Sequence, residues 1–317
     1  MRLEIVIPTY NRPECIKEYM EHLEKFYGKY DFGVYVVDSS PDLATAMIIK
    51  KYKFVRYEKI DSSINVDEKT IYCLKKSIGE FVFLCGDGYA LNVDRIFQTI
   101  KFDNSTDIYA IYDDRWSKKR TKYVYHLNKF FYNDKIQFFI DHFGMLTLYG
   151  GSIINKRLVE KINMEYVVKK YAGHNFIYPC TLAEYSNGKF EVAISNFLEI
   201  INKKKYPGWI VNKEAVRVWA ESFCHSVDCL LGIVTKKDIR KIIKSNFKQN
   251  DFFSVKGLIW LRTTDNYSLR ILIKYKKYLN RVLCCNRFFA FLIAIFPKKI
   301  FIKLRKIYQT IKGEEIK

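Results

Sequence analysis

The sequence predicts an α/β protein in which helices flank a mostly parallel sheet, with a helical, basic region towards its C-terminal end. Short β-rich runs alternate with amphipathic helical segments through the first half of the chain. One of these runs, Phe81–Leu84, is apolar on both faces, as expected of a central strand that helices cover on either side. Positive charge is concentrated in the last third of the chain.

The length of 317 residues is enough for about two compact units. A content of 49% apolar and 28% charged residues excludes a disordered chain. We expect a first unit over residues 1–205, divided into halves 1–115 and 116–205, and a second, helical unit over residues 206–317.

The opening segment predicts a strand followed by a helix. Residues 3–7 form a short β-rich run that we expect to end at Pro8, which has no N–H for a sheet hydrogen bond. Asn11 is a suitable cap for a helix that begins near Arg12. Apolar residues then recur at helical spacing, so one face of this helix is predicted to pack on the sheet.

The same plan recurs further along the chain. Residues 33–37 predict a second strand, which ends at Asp38. Residues 65–78 predict a second helix, with a capping Asn at its start and Gly79 as its stop. The apolar run at residues 81–84 follows as the third strand identified.

Polar segments follow all three strands: PTYNR, DSS and CGDGY. In an open α/β sheet the ligand binds beyond the carboxyl ends of the strands, so these segments are expected to border a pocket. A nucleotide suits such a pocket, because one carboxylate can bind the base or ribose and another can hold a divalent cation on a diphosphate.

The motifs IVIPTYNR, VVDSS and FVFLCGDGY, in this order and spacing, resemble the nucleotide-binding half of a family 2 type glycosyltransferase with the GT-A fold. The resemblance covers roughly residues 1–200. It implies transfer of a sugar from a nucleotide-sugar donor, for which we expect a UDP-sugar, to a hydroxyl of a saccharide acceptor. It also implies inversion at the anomeric carbon, Mn²⁺ or Mg²⁺ as cofactor, and a role in surface polysaccharide biosynthesis, such as that of a capsule.

By this resemblance Asp87 is the metal-binding acid, although the family usually has an Asp-x-Asp pair and this chain has Gly86 and Gly88 around a single carboxylate. Asp38 would bind the uracil or ribose, or it could simply cap the turn that follows its strand. Arg12 and Lys69 would contact the diphosphate, or could face solvent. The full set of predicted donor-binding residues is Pro8, Thr9, Tyr10, Asn11, Arg12, Asp38, Ser39, Lys69, Gly86, Asp87 and Gly88.

The acceptor half begins near a glycine pair, Gly150 and Gly151, that resembles the small-residue turn before the family's acceptor site. Where the family places an acidic pair, this chain has His174. An imidazole with a pKa near ~6.5 can accept a hydroxyl proton, so His174 is the first candidate base, or it is structural. Asp141 and Glu184 are the alternative bases.

Two further acids, Asp113 and Asp114, follow another strand. They could bind the donor or acceptor sugar, or they could only terminate that strand.

The net charge of +20 lies almost entirely in the C-terminal region. From residue 201 onward there are 26 basic and 8 acidic residues, and the 28 basic and 26 acidic residues before it nearly cancel. Such a region is expected to meet an anion: nucleic acid, phospholipid or polyphosphate. The apolar run over residues 288–296 is nine residues long, and crossing a bilayer as a helix takes about 20.

Two helical patterns in this region favour a membrane surface. Arg270, Lys274, Lys277 and Arg281 recur at helical spacing and would form one cationic stripe. A later apolar seam over residues 300–311 is flanked by lysines. We therefore expect a peripheral protein on the inner face of the plasma membrane, with an acceptor linked to a lipid diphosphate.

Other functions compete with this interpretation. A basic nucleic-acid-binding protein would also explain the charge, although no zinc-finger spacing or RNP-like motif is present. A sugar-nucleotide-synthesising transferase would normally have a Gly-rich opening loop, which PTYNR is not. An inactive relative that binds a nucleotide sugar would explain the missing acid. The eight Cys have no metal-binding spacing, and no signal peptide is evident, so we expect a reducing cytosol.

Overall fold

A central β-sheet with helices on both faces forms the structure, a computed structural model that describes residues 1–114, 118–200 and 208–303. The strands are β1 (Leu3–Thr9), β2 (Phe32–Asp38), β3 (Val55–Lys59), β4 (Phe81–Leu84), β5 (Tyr89–Leu91), β6 (Thr106–Asp113), β7 (Phe131–Tyr132), β8 (Ser152–Asn155), β9 (Lys189–Ser195) and β10 (Leu198–Ile200). The helices before β9 are α1 (Pro13–Glu24), α2 (Ala44–Ile49), α3 (Val66–Lys76), α4 (Val93–Thr99), α5 (Lys118–Leu127), α6 (Lys135–Leu146), α7 (Lys156–Lys161), α8 (Met164–Tyr171) and α9 (Ile177–Tyr185).

The C-terminal region is helical throughout its described part, as predicted. Its helices are α10 (Gly208–Val211), a π-helical segment (Arg217–Ser222), α11 (Phe223–Asp228), α12 (Lys236–Gln249), α13 (Val255–Thr263), α14 (Leu269–Lys274), α15 (Lys276–Val282) and α16 (Arg287–Ile295). None of the helices in the described ranges has the length and apolar content needed to cross a bilayer.

Eight strands form one sheet in the order β3-β2-β1-β4-β8-β6-β9-β7, and β10 pairs with β5 in a separate ribbon. The strands β3, β2, β1 and β4 are mutually parallel, and β6 is parallel to β9. Only β8 and β7 run against their neighbours in this sheet. The predicted α/β class with a mostly parallel sheet is confirmed.

The loop after β1 differs from the sequence prediction. The strand does not end at Pro8, because its pairing with β2 continues to Thr9, which lies opposite Asp38. Asn11 does not cap α1: it has a positive φ of 52°, and the helix starts at Pro13. The backbone N–H of Asn11 instead donates to Ser40 Oγ at 2.8 Å, so this loop is tied to the loop after β2.

The start of α3 agrees with its prediction, and its end does not. Asn65 caps the helix by accepting from the Glu68 N–H at 2.9 Å. The helix ends at Lys76, before Gly79. A Cβ at Gly79 would lie 2.7 Å from the backbone nitrogen of Glu4, so the glycine is required where the chain passes β1.

Alternate residues of each central strand supply the two cores. Val6 and Val82 belong to the core on the face that carries α3, α6 and α9, while Ile5 and Phe83 belong to the core beneath α1 and α4. Helices of the C-terminal region extend the first core, where α12 packs on α6 and the Phe143 and Phe223 rings lie 5.8 Å apart.

The predicted cationic stripe does not lie on one helix. The helical path is interrupted at Tyr275, which has φ −105° and ψ 16°. Arg270 and Lys274 therefore lie on α14, whereas Lys277 and Arg281 lie on α15. The later apolar seam falls largely outside the described residues, since Leu304, Ile307 and Ile311 all lie beyond residue 303. The division of the chain near residue 205 stays a prediction.

Candidate active site

A cleft of about 1340 Å³ lies beyond the carboxyl ends of β1, β4 and β6. This is the edge of the sheet where the sequence predicts a pocket. Eight of the predicted donor-binding residues line it: Pro8, Thr9, Tyr10, Arg12, Lys69, Gly86, Asp87 and Gly88. The C-terminal region also lines the cleft, through residues that include Glu214, Arg217, Trp219 and Asp251.

Asp87 is the best-defined acid of this cleft. Because β1 and β4 are adjacent and parallel, the loops that follow them emerge side by side. Thr9 Oγ1 donates to Asp87 Oδ2 at 2.9 Å, and Arg12 Nη1 donates to Asp87 Oδ1 at 2.7 Å. Asp87 is 7% exposed, and the carboxylate raises the pKa of the Arg12 guanidinium. The result is a carboxyl group that two hydrogen bonds hold in place on the cleft wall.

Lys69 holds two of the predicted loops together from α3. Its ammonium donates to the Thr9 carbonyl at 2.9 Å and to Ser39 Oγ at 2.8 Å. The residue is 7% exposed and lines the cleft, and burial lowers the pKa of its ammonium. Two of its three N–H groups are used within the protein, which leaves one for a ligand.

Asp38 does not line the cleft. Its Oδ1 accepts from the Ser40 N–H at 2.8 Å and from the Ser40 hydroxyl, and its Oδ2 accepts from the Tyr57 hydroxyl at 3.0 Å. Lys59 Nζ lies 3.8 Å from the same oxygen, and Asp38 is fully buried. The alternative reading of Asp38 as a turn cap therefore fits its geometry, whereas a direct contact with the nucleotide does not.

Asn11 and Ser39 also lie outside the lining of the cleft. Ser39 stands behind Lys69 as a hydrogen-bond acceptor, and Asn11 connects through its backbone to Ser40. Both support the loops that carry lining residues.

His174 lies beside the cleft and does not line it. Its ring stacks on that of His225, with centroids 5.2 Å apart and planes at 16°. Burial, and then the neighbouring His225, lower the pKa of His174. The next residue, Asn175, does line the cleft. Asp67 holds this loop, because its Oδ2 accepts from the Gly173 N–H at 2.8 Å and from the Asn175 N–H at 3.1 Å.

The two alternative bases, Asp141 and Glu184, do not line the cleft. Asp141 is 5% exposed and accepts from Gln137 Nε2 at 2.8 Å and the Tyr132 hydroxyl at 3.2 Å, and burial raises its pKa. Glu184 accepts from Lys170 Nζ at 2.7 Å and from the Tyr171 hydroxyl. Asp141 and Glu184 are both absent from the lining of the cleft, and a role for either as the base stays a prediction.

Other carboxylates of the described chain line the cleft besides Asp87: Asp113, Glu214 and Asp251. Asp113 Oδ2 accepts from the Leu198 N–H at 2.7 Å, so this acid ties β6 to β10. Asp114 is not in the lining.

Glu214 and Asp251 line the cleft but were not predicted from the sequence. Glu214 pairs with Arg217 at 2.9 Å, and Asp251 pairs with Lys119. The signal was weak, because these acids belong to no motif: Glu214 precedes the π-helical segment and Asp251 follows α12, and both reach the cleft through the tertiary packing of the C-terminal region.

A divalent cation fits Asp87 by the chemistry of its ligands. The described residues contain no group of three or more His, Cys, Asp or Glu side chains that could hold a metal alone. Each oxygen of the Asp87 carboxylate accepts one hydrogen bond, from Thr9 or Arg12, and retains a further acceptor position. One carboxylate together with ligand phosphates and waters is a common arrangement for Mg²⁺.

Comparison with known proteins confirms the predicted GT-A fold. A mannosyltransferase from Pyrobaculum calidifontis, PcManGT, solved in complex with GDP-Man and Mn²⁺, has a TM-score of 0.51 and 14% identity, covering 92% of this chain and 85% of that chain. TarS 1-349 from S. aureus has a TM-score of 0.50 and 13% identity, covering 89% and 83%. No protein-family model and no curated protein matches the sequence.

Proposed function

We propose that the protein is a glycosyltransferase of family 2 type that moves a sugar from a nucleotide-sugar donor to a hydroxyl of a saccharide acceptor. The observation that carries this proposal is the set of Thr9, Arg12, Lys69 and Asp87 at the carboxyl ends of β1 and β4, in one cleft. It places one fixed carboxylate and two cations where an α/β sheet binds its ligand. A protein with this fold, PcManGT, was solved with GDP-Man and Mn²⁺.

In this proposal Asp87 holds Mn²⁺ or Mg²⁺ on the donor diphosphate. When bound, the cation would neutralise charge on the departing nucleoside diphosphate. Arg12 orients Asp87 through their 2.7 Å contact. Lys69 directs its remaining N–H towards the phosphates, since its other two N–H groups hold the loops after β1 and β2.

We place the general base at Glu214 or Asp251, in the part of the cleft that the C-terminal region lines. Both acids line the cleft and both are partly exposed, so an acceptor hydroxyl can reach them. The base removes the proton of the attacking hydroxyl as its oxygen bonds to the anomeric carbon, and the bond to the nucleoside diphosphate breaks in line. Inversion of configuration is what the family resemblance implies.

The acceptor is proposed to be a lipid-linked saccharide, and the product a surface polysaccharide such as a capsule, made at the inner face of the plasma membrane. The basic composition of residues 201–317 supports this part of the proposal.

A screen of nucleotide sugars by thermal shift, with and without Mn²⁺, tests the proposed reaction. We expect a UDP-sugar to raise the melting temperature of the wild type only with the metal, and not that of Asp87→Ala. Asp94→Ala is the matched control, because Asp94 pairs with Lys29 at 2.8 Å outside the cleft. Stabilisation by no nucleotide sugar would contradict the proposal, and binding without turnover would indicate an inactive relative.

A further inference from the structure

Helix α16 has two apolar faces, and the protein buries only one of them. Ala290, Ile293 and Ala294 are buried against the neighbouring helices. On the other side Phe288 is 62% exposed and Phe291 is 45% exposed. A helix that is apolar all round is normally covered on every side by protein or lipid.

The exposed side of α16 has a regular pattern. Phe288, Phe291 and Ile295 follow one another at steps of three and four residues, which places them on one face of the helix. Ile273, on the adjacent helix α14, is 66% exposed, and Ile300 is also exposed. We call Phe288, Phe291 and Ile295 the α16 face. Monomeric proteins rarely expose a contiguous group of large apolar side chains without a partner for it.

The buried side fixes the orientation of this helix. The Tyr267 hydroxyl donates to the Ala290 carbonyl at 3.1 Å, and Arg262 Nη2 donates to the Phe296 carbonyl at 3.1 Å. The α16 face is therefore held outward by contacts on the opposite side of the helix.

The segment of the chain that contains α16 carries charge of a single sign. Residues 266–303 contain no Asp or Glu and nine Lys or Arg. Two of these cations are bound to acids of the protein: Arg281 makes two hydrogen bonds to Asp228, at 2.7 and 2.6 Å, and Lys298 pairs with Asp265 at 2.6 Å. The cations exposed to solvent are Arg270, Lys274, Lys276, Lys277, Arg287, Lys299 and Lys303.

We propose that the α16 face binds the surface of an anionic lipid bilayer, with α16 lying parallel to the membrane plane. Phe288, Phe291 and Ile295 would enter the boundary between headgroups and acyl chains, and the surrounding cations would contact the lipid phosphates. Charge complementarity selects this occupant, since a second copy would bring the same cations against each other. Arg281, predicted as part of the membrane-binding stripe, is excluded because Asp228 holds it within the protein.

Sedimentation of the full-length protein with vesicles tests the proposal without nucleotide or acceptor, so its result is independent of the glycosyl transfer proposed above. Vesicles of phosphatidylcholine with 30% phosphatidylglycerol, on the order of an anionic inner leaflet, are compared with pure phosphatidylcholine. We expect binding to the anionic vesicles only, and weaker binding at high salt, where the screening length falls to about 3 Å at 1 M.

Two sets of variants distinguish the contribution of the α16 face to vesicle binding from that of the overall positive charge. Phe288→Ser with Phe291→Ser removes the apolar contact, and Phe131→Ser is its control because Phe131 is 68% exposed on β7. Lys274→Glu with Lys277→Glu and Arg287→Glu reverses charge around the face. Lys236→Glu with Lys237→Glu and Lys244→Glu makes the same charge change on exposed positions of α12. We expect each face variant to lose about tenfold or more in vesicle affinity, and each control to lose much less.

Circular dichroism and thermal melting of each variant verify the fold. An equal loss of vesicle affinity in the face variants and the control variants would overturn the proposal. So would binding to neutral vesicles that equals binding to anionic vesicles. So would a concentration-dependent dimer in sedimentation velocity that Phe288→Ser with Phe291→Ser abolishes, because a second copy would then cover the face. Binding of RNA in preference to anionic vesicles would overturn it in favour of a nucleic-acid partner.

Discussion

The carboxyl groups of the cleft differ in what holds them, and the roles proposed for them rest on this difference. Asp87 is fixed by a hydroxyl and a guanidinium and is nearly buried, which suits a cation ligand. Glu214 and Asp251 are each held by one cation on a partly exposed wall, which leaves acceptor positions open to a substrate. His174 is stacked on His225 away from the lining.

A panel of variants at these positions should identify the base. We expect Glu214→Gln or Asp251→Asn to lower kcat by about 100-fold or more, because general base catalysis contributes that much, with donor affinity nearly unchanged. His174→Ala should change kcat much less, since its ring does not line the cleft. Steady-state kinetics, followed by the release of nucleoside diphosphate, measures both kcat and the affinity for the donor. A loss confined to His174→Ala would return the role of base to that residue.

His142 predicts a dependence of stability on pH. It is fully buried, with the Tyr112 hydroxyl 2.8 Å from Nδ1 and the Tyr132 hydroxyl 3.0 Å from Nε2, and burial lowers its pKa to about 3. The unfolded chain takes up this proton near pH ~6.5, and the folded protein does not until the pH is much lower. His142 therefore favours folding above pH ~6.5, and this contribution is lost as the pH falls towards 3.

Urea unfolding at several pH values checks this prediction. Below pH ~6.5 the wild type should lose about 1.4 kcal/mol per pH unit more than His142→Gln, whose side chain does not titrate. His126→Gln, a control on α5, should keep the slope of the wild type. Identical slopes for the wild type and His142→Gln would show that His142 does not titrate differently on folding.

For single residues, the sequence predicted the place in the fold better than the direction in which the side chain points. Thr9, Arg12, Lys69 and Asp87 come together because each follows or adjoins a parallel strand at one edge of the sheet, a consequence of topology. Asp38 sits at the same edge but turns inward, because Tyr57 and the loop after β2 donate to it. The contact with Ser40 agrees with the turn cap that the local DSS segment offers, whereas the contact with Tyr57 joins residues 19 apart and is not encoded in that segment.

At the scale of elements, α6 and α12 form the contact that brings the C-terminal region to the cleft. Gly144 lies at this contact, and a Cβ there would stand 1.7 Å from Asn246 Oδ1. The glycine allows α12 to approach closely, and α12 in turn leads to Asp251 on the cleft wall.

We expect Gly144→Ala to destabilise the protein by about 1–3 kcal/mol, because overpacking forces side chains or backbone to shift. It should also reduce turnover more than donor binding, since the displaced wall carries Asp251 and not Asp87. Urea unfolding and kinetics measure the two effects. Gly88→Ala is the control for the unfolding measurement, because a Cβ there would have no atom within 4 Å. Wild-type stability in Gly144→Ala would show that Asn246 moves aside without cost.

Elements with strong local patterns were predicted well, and those that depend on distant partners were not. The apolar runs of β1, β2 and β4 and the Asn65 cap of α3 are encoded within a few residues. The break between α14 and α15 at Tyr275 interrupts a spacing that is regular in sequence.

At the scale of the whole molecule, the basic C-terminal region has two roles in this account. Its helices α11 and α12 pack against α9 and α6, and its π-helical segment and residues 249–251 line the cleft, while α14 and α16 present an apolar, cationic surface. A lipid-linked acceptor held at that surface would lie on the same molecule as the donor cleft. The sequence predicted the charge of this region but not its share of the cleft wall, because tertiary packing alone brings that wall into place.

We propose above that Asp87 and its neighbours hold a metal-bound nucleoside diphosphate in the cleft. Calorimetric titration of UDP into the wild type and into Asp87→Asn, each with and without Mn²⁺, tests it most directly. We predict that the wild type binds UDP only with Mn²⁺, and that Asp87→Asn binds it at least about tenfold more weakly, as expected for loss of a charged ligand. Equal affinity of the two proteins, or binding indifferent to Mn²⁺, would contradict the account.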